Sequence, residues 1–166
     1  MRVTGLTYCD PGMTYRVQVM DFKEYVKGVL PNEWYPKWHD ESLKAGAIAV
    51  KMFAWSMSET RGYVWDCTWS QVYDSSKRTP RTDAAVDYTW DWVFVDDGIV
   101  KTYYNANKYG CYDRGDNCMS QVGSQALALQ GHNWGSILNE YYTGTLTNSI
   151  ITLINPVYVR NGVYYK

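Results

Sequence analysis

Hydrophobic residues between positions 21 and 62 recur with the period of an α-helix. In the segment DFKEYVKGVL they occupy i, i+3, i+4, i+7 and i+8, namely Phe22, Tyr25, Val26, Val29 and Leu30. This spacing predicts a short amphipathic helix with Asp21 as its N-cap. Pro31 and Pro36 should prevent a regular continuation, and a longer helix should begin at the cap Asp40 and end near Gly62. The pattern thus predicts two helices separated by a short break.

The second half of the chain mixes strand and helix patterns. WVFVDDGIVKTYYNA alternates around Asp97-Gly98, which predicts a β-hairpin, and a short helix is expected over residues 82–88. Ser120 and Asn133 are predicted N-caps of two further helices, which should stop at Gly131 and Gly144. The tail indicates strands around Asn161-Gly162, either a closing hairpin or the beginning of a linker.

These elements indicate an α+β fold. The chain has 166 residues, of which 46% are hydrophobic, so it can bury a substantial core. We expect a single domain over residues 1–166, or two lobes that share a cleft. Its amphipathic helices should pack on a small, mainly antiparallel sheet.

Charge and aromatic content narrow the class of ligand. Sixteen Lys and Arg against 17 Asp and Glu give a net charge of −1, which argues against nucleic acid as a partner. Eight Trp and 16 Tyr accompany only three Phe, and such amphipathic rings suit partly wet sugar-binding grooves as well as cores.

No apolar run is long enough for a transmembrane segment, and the first residues lack the pattern of an export signal. Either the signal lies outside this chain or the protein is not exported by itself.

The four cysteines allow two disulfides with three connectivities. We predict Cys111–Cys118, which would close the loop CYDRGDNC, and Cys9–Cys67, which rests only on elimination. Disulfides would place the protein in an oxidising compartment. Four free thiols remain the alternative, while a zinc site is disfavoured because neither histidine has a ligand spacing with a Cys pair.

Glu33 is the most informative carboxylate. It lies in the break between the two predicted helices and is flanked by Trp34 and Tyr35. Aromatic, poorly hydrated surroundings raise the pKa of a carboxyl group and prepare it to donate a proton near neutral pH. The alternative is an ordinary surface or helix-capping carboxylate. No motif singles out a second carboxylate among the remaining acidic residues.

Five ordered motifs carry a family resemblance. YVKGVLPNEW, LKAGAIAVKMFA, DCTWSQVYD, TYYNANKYG and MSQVGSQALALQGHNWGSILNEYYTGT resemble the SpoIID/LytB domain, the family of stage II sporulation protein D and the amidase enhancer LytB. The resemblance covers residues 21–145. It implies an envelope or extracellular protein that acts on peptidoglycan glycan strands, with Glu33 at the position of the catalytic acid.

The resemblance also implies a substrate groove. We expect it to be lined by Trp34, Lys51, Gln71, Tyr73, Tyr104, Ser120 and Gln121. Each of the polar residues in this set could instead be an internal hydrogen-bonding residue. Lys51 stands where the family usually has Arg, which keeps the charge and loses the planar fork.

Two departures from the family flank the Cys111 to Cys118 loop. RGDNC replaces a Gly-His-Gly-x-Gly run before MSQ, so a zinc site found in some members is not expected here and no cofactor or metal is predicted. NKYG replaces an SGG-type motif and leaves only Gly110. A disulfide would take over the task of holding this loop, and the two changes argue against full enzymatic competence.

Three functions follow from the resemblance. The preferred one is a lytic transglycosylase in which Glu33 is the acid and then the base. The second is a non-catalytic wall-binding module that localises or stimulates a cell-wall N-acetylmuramoyl-L-alanine amidase. The third is a structural envelope domain that has kept the fold and lost the groove.

Overall fold

The computed structural model describes residues 14–67, 70–114, 117–148 and 157–163. The helices in these ranges are α1 (Phe22–Glu33), α2 (Asp40–Arg61), α3 (Pro80–Thr89), α4 (Gln121–Leu129) and α5 (Trp134–Tyr141). The strands are β1 (Thr14–Met20), β2 (Val64–Trp65), β3 (Trp92–Val95), β4 (Tyr103–Asn105), β5 (Cys118–Ser120), β6 (Thr145–Asn148) and β7 (Val157–Val163). The α+β class is confirmed, and the helices and strands share one core.

Helix α2 forms the centre of this core. It contacts all four other helices as well as β2, β3 and β4, and nearly every side chain from Ser42 to Met57 is buried. Small residues make this close packing feasible. A Cβ atom at Gly46 would lie 2.6 Å from the ring of Trp34, so the glycine lets the end of α1 approach the α2 backbone.

Helix α1 begins as predicted and ends later than predicted. The Asp21 carboxylate accepts a hydrogen bond from the Glu24 amide at 3.0 Å, as an N-cap does. The helix then continues through Pro31 to Glu33, so the predicted break before Glu33 is wrong. Pro31 is itself buried in this last turn, and burial of the turn against the core outweighs the lost backbone hydrogen bond.

Helix α2 shows a smaller boundary difference. Its N-cap is His39, whose Nδ1 accepts from the Glu41 amide, and Asp40 is the first helical residue. Its end matches the prediction, because Gly62 takes the left-handed conformation with φ 76°. The predicted caps Ser120 and Asn133 accept from the amides of Gly123 and Ser136.

The strands form three small sheets rather than one. β7 lies between β1 and β2, β3 pairs with β6, and β4 pairs with β5. The longer pairings, β1 with β7 and β3 with β6, are antiparallel, whereas β2–β7 and β4–β5 are short and parallel. Antiparallel pairing therefore predominates, as expected.

Neither predicted hairpin forms as a full two-stranded unit. Asp97 and Gly98 make a turn with positive φ, and Val95 pairs with Ile99, but the chain then leaves β3. The buried Thr102 hydroxyl donates to the Ala49 carbonyl of α2 at 2.7 Å, which directs the following strand to β5. Asn161-Gly162 lies inside strand β7 and pairs with β1, so the predicted turn there is wrong.

Candidate functional site

Glu33 lies at the C-terminal end of α1, where two cavities meet. One cavity has a volume of about 520 Å³ and the other about 240 Å³. Glu33, Ala106 and Gln121 line both of them. Together the cavities form a groove, and Glu33 belongs to the wall that the two cavities share.

Two hydrogen bonds fix this glutamate. The Val72 amide donates to Oε1 of Glu33 at 2.9 Å, and Nε2 of Gln121 donates to the Glu33 carbonyl oxygen at 2.8 Å. The second bond joins the end of α1 to the start of α4. Both the carboxyl group and the backbone of Glu33 are therefore held in place.

The surroundings also change how Glu33 titrates. Burial raises the pKa of its carboxyl group from 4.5 to about 7, while the Val72 amide and the interaction of the Gln121 side chain with the carboxyl group act in the opposite direction. Burial prevails because one amide and one side chain replace only part of the lost hydration. At neutral pH a large fraction of this carboxyl group carries a proton that it can donate.

A second buried carboxylate supports the same segment. Oδ1 of Asp66 accepts from the Tyr73 amide at 2.6 Å, next to the Val72 amide that binds Glu33. Burial raises the pKa of Asp66 to about 6. The segment at residues 71–73 is thus hydrogen-bonded to two carboxylates through consecutive amides, although Asp66 does not line either cavity.

Gln71 and Tyr104 belong to a buried polar network beneath the groove. Gln71 Nε2 donates to the Val50 carbonyl and to the Tyr104 hydroxyl, and its Oε1 accepts from the Tyr25 hydroxyl. Gln71 has no exposed surface and therefore supports the groove from below. Tyr104 lines the smaller cavity. Burial raises the pKa of its phenol, and the nearby Glu33 carboxylate raises it further.

Trp34 lines the larger cavity, but its ring packs into the core. Its side chain is 1% exposed, its ring packs over Gly46, and its Nε1 donates to the Ser124 hydroxyl at 3.2 Å. Such a ring offers no free face on which a sugar could stack, so Trp34 belongs to the wall of the cavity without presenting its ring to a ligand. Its role is to anchor the end of α1 against α2 and α4.

Lys51 is also in the core, away from both cavities. Its side chain is 1% exposed, and its ammonium group donates to the carbonyl oxygens of Thr89, Trp90 and Trp92 at 2.5 to 3.0 Å. The first two carbonyls belong to the end of α3, where helices leave acceptors unsatisfied. Lys51 therefore caps a buried helix end, and the expectation that it binds substrate is corrected.

Tyr73, Ser120 and Gln121 complete the predicted set. The ring of Tyr73 stacks on Tyr25 with centroids 5.8 Å apart and fills the space over Gly28, so it packs the segment at residues 71–73 onto α1. Ser120 is used as the cap of α4. Among the predicted substrate-binding residues, Trp34, Tyr104 and Gln121 line the groove.

Several lining residues were not anticipated from the sequence. The larger cavity includes Asn32, Tyr35 and Lys77, and the smaller one includes Asn105 and the backbone of Val72. Lys77 lies in the polar stretch SSKRTPRTD, which indicates only an exposed connection. Asn105 belongs to the TYYNANKYG motif, and membership of that motif is the sequence signal that could have identified it as a lining residue.

Cys111 and Cys118 form a disulfide with a Cα–Cα distance of 5.5 Å. The other predicted pair includes Cys9, which lies outside the described residues, so that pairing stays a prediction. Cys67 is buried and is not a free thiol.

Over the described ranges, no three His, Cys, Asp or Glu side chains come together as a metal site would require. No helix in that part of the chain is long and apolar enough to cross a membrane.

Comparison with known proteins finds two similar sequences. The chain is 33% identical over 92 residues to the amidase enhancer of Bacillus subtilis (strain 168), an alignment that covers 55% of this chain and 13% of that protein. It is 32% identical over 108 residues to an uncharacterized protein of Brachyspira hyodysenteriae (strain ATCC 49526 / WA1), covering 61% of this chain and 29% of that protein. The chain thus matches less than a third of the length of each relative.

A family model described as stage II sporulation protein matches residues 11–95. That range contains Glu33, Asp66 and the segment at residues 71–73, and it ends before Tyr104 and Gln121. The match extends over half of the chain and includes the residue at the centre of the groove. This chain belongs to the SpoIID family.

Proposed function

We propose that this domain acts on the bacterial cell wall and cleaves peptidoglycan glycan strands as a lytic transglycosylase. The observation that carries the proposal is the Glu33 carboxyl group, which has a pKa of about 7 and lies where two cavities meet. A glycan strand has sugars on both sides of the bond to be cleaved, and a cavity on each side of one acid suits that shape. The place of action is the cell envelope or the extracellular space, where peptidoglycan lies.

Glu33 performs two proton transfers in this mechanism. The protonated carboxyl group gives its proton to the bridging oxygen, and the bond between that oxygen and the anomeric carbon breaks. The C6 hydroxyl of the same sugar then bonds to the anomeric carbon and passes its proton to the Glu33 carboxylate. The products are a new hydroxyl end and a 1,6-anhydro sugar, and Glu33 is again protonated.

The composition of the groove supports this reaction over ordinary hydrolysis. Conventional glycosidases place two carboxylates across the bond that breaks. Among the described residues that line the two cavities, Glu33 is the one acidic side chain. A mechanism in which one carboxyl group is acid and then base needs no second carboxylate.

Product analysis tests the proposal. Purified sacculi and glycan strands freed of peptides are incubated with the protein, and the products are identified by mass. We expect 1,6-anhydro ends from the unmutated protein and a loss of at least about 10² in rate for Glu33→Gln, which keeps the shape and cannot donate the proton. Reducing ends would indicate a hydrolase, and undiminished cleavage by Glu33→Gln would exclude Glu33 as the acid.

A second candidate function is a wall-binding module that localises or stimulates a cell-wall amidase. It is supported by the relative named amidase enhancer. In this case Glu33→Gln should still bind insoluble peptidoglycan, and it should stimulate an added amidase as strongly as the unmutated domain. Neither version would then release anhydro products. If neither version binds peptidoglycan, the domain has a structural role in the envelope.

A further inference from the structure

Two exposed tyrosines lie next to the disulfide, one before and one after Cys111. Tyr109 and Tyr112 belong to a 3₁₀-helical segment, Lys108–Arg114, and their side chains are 66% and 70% exposed. Their ring centroids are 5.7 Å apart with the planes inclined by 69°. A single exposed ring is common on protein surfaces, but two that lie side by side form a contiguous apolar surface of the kind found at binding sites. We refer to Tyr109 and Tyr112 as the tyrosine pair.

The tyrosine pair is attached to the wall of the smaller cavity. The two tyrosines flank Gly110, where a Cβ atom would lie 2.1 Å from the side chain of Asn105. Asn105 lines the smaller cavity, and Ala106 lines both cavities. The Asn107 side chain accepts from the Tyr109 amide at 3.0 Å. The tyrosine pair is therefore next to the groove and only a few residues along the chain from its lining.

The backbone that carries the tyrosine pair is fixed at several points. Cys111 lies between the two tyrosines and is bonded to Cys118 at the start of β5. Strand β5 pairs with β4 directly below. A surface that is held in place before a ligand arrives loses little conformational entropy on binding.

An exposed aromatic ring is also found at the other end of the groove. Tyr35 is 71% exposed and lines the larger cavity, and its ring centroid lies 5.4 Å from that of Trp38. Glu33 thus has exposed aromatic surface on the side of each cavity. A sugar polymer needs such surfaces in series, because its rings present C–H faces at regular intervals along the strand.

We propose that the tyrosine pair is an outer sugar-binding subsite, which holds the part of a glycan strand that extends beyond the smaller cavity. The occupant is a pyranose ring of the same N-acetylated glycan, packed on the exposed face of Tyr109 or Tyr112. This inference rests on the proposed function for its ligand class. It adds a contact that only strands longer than the groove can reach.

Binding measurements with N-acetylglucosamine oligomers test the subsite. Glu33→Gln prevents turnover and is used as the background for titration calorimetry with a trisaccharide and a hexasaccharide. We expect the hexasaccharide to bind more tightly than the trisaccharide. The double variant Tyr109→Ala, Tyr112→Ala should bind the hexasaccharide about 5- to 10-fold more weakly, which is the effect of losing one well-packed ring contact. The affinity for the trisaccharide should not change. Tyr88→Ala is the matched control, because Tyr88 is 61% exposed and contacts Trp134 and Lys44 instead of the groove.

Each other outcome has a defined meaning. Equal affinities of the background protein for the two oligomers, no binding of either, or an unchanged hexasaccharide affinity in the double variant would overturn the subsite. Equal weakening for both lengths would also overturn it, since the tyrosines would then support the fold rather than an outer contact. Failure of the cleavage reaction is seen separately, as the absence of anhydro products while length-dependent binding persists.

Discussion

Lys51 is buried and Glu33 is partly buried, and loss of hydration brings the pKa of each side chain to about 7. Their surroundings differ. The Lys51 ammonium donates to three backbone carbonyl oxygens, two at the end of α3 and one in β3, whereas Glu33 lines two cavities. A displaced pKa therefore does not by itself mark a functional group. The cavity is what separates the candidate acid from the helix cap.

The largest expected effect comes from removing the cap. Lys51→Met should lower the free energy of unfolding by about 3 kcal/mol or more, because three backbone carbonyl oxygens lose the donor that they share. Denaturant titration measures this loss, and the rate of cleavage per folded molecule should stay close to that of the unmutated protein. Lys51→Arg keeps the charge and the donors and should cost less. An unchanged unfolding free energy for Lys51→Met would contradict the capping role.

Glu33→Gln should have the opposite effect on stability. The folded pKa of about 7 lies above the unfolded value of 4.5, so ionisation of Glu33 destabilises the folded protein as pH rises through this window. The variant should therefore be more stable than the unmutated protein by about 2 to 3 kcal/mol at pH values above the folded pKa, and equally stable below the unfolded pKa. Thermal or denaturant unfolding of both proteins across this range measures the difference. A constant difference at all pH values would mean that Glu33 does not titrate as described.

The cleavage rate should follow the protonation of the same group. At low substrate concentration the rate should fall about tenfold per pH unit above the folded pKa of Glu33, because only the protonated carboxyl group can act as the acid. Lys51→Arg is a suitable control, since a residue remote from both cavities should leave this profile in place. A rate that stays level well above neutral pH would assign the acid to another residue.

Asp66 offers the smallest and most specific test. Asp66→Ala removes the acceptor of the Tyr73 amide and should loosen the neighbouring Val72 amide, which lowers the pKa of Glu33 by its hydrogen bond. The alkaline limb of the pH profile should then move upward, with a change of only a few-fold in the maximal rate. Asp66→Asn keeps an acceptor oxygen and should restore most of the original profile. A lower rate with no shift in the alkaline limb of the pH profile would mean that Asp66 has only a structural role.

The helix ends were predictable because their signals are local. Asp21, Gly62, Ser120 and Asn133 each act within a few residues of the turn they stabilise. The continuation of α1 through Pro31 was not predictable, since it depends on burial of that turn in the assembled core. The strand partners could not be predicted either, because the pairing of β1 with β7 joins segments from the two ends of the described chain.

In the candidate site, too, some features could be predicted from the sequence and others depend on tertiary packing. Glu33 could be identified by its position and its motif, and Gln121 by its motif. The sequence could not tell that Trp34 turns toward Gly46, or that Lys51 reaches the end of α3, since both depend on which helices pack together. Asp66 lies within the DCTWSQVYD motif, but its link to Glu33 exists only through the folded segment at residues 71–73.

The meeting of two cavities at one carboxyl group also guides the design of an inhibitor. A molecule with a basic nitrogen between two ring-shaped arms could fill both cavities and bring its positive charge to Glu33. Because this ion pair needs the ionised carboxylate, the inhibitor's affinity should increase as pH rises through the folded pKa of Glu33. An uncharged analogue of the same shape should lack that increase. Such a compound would therefore be most effective in the pH range where the cleavage reaction itself is slowing.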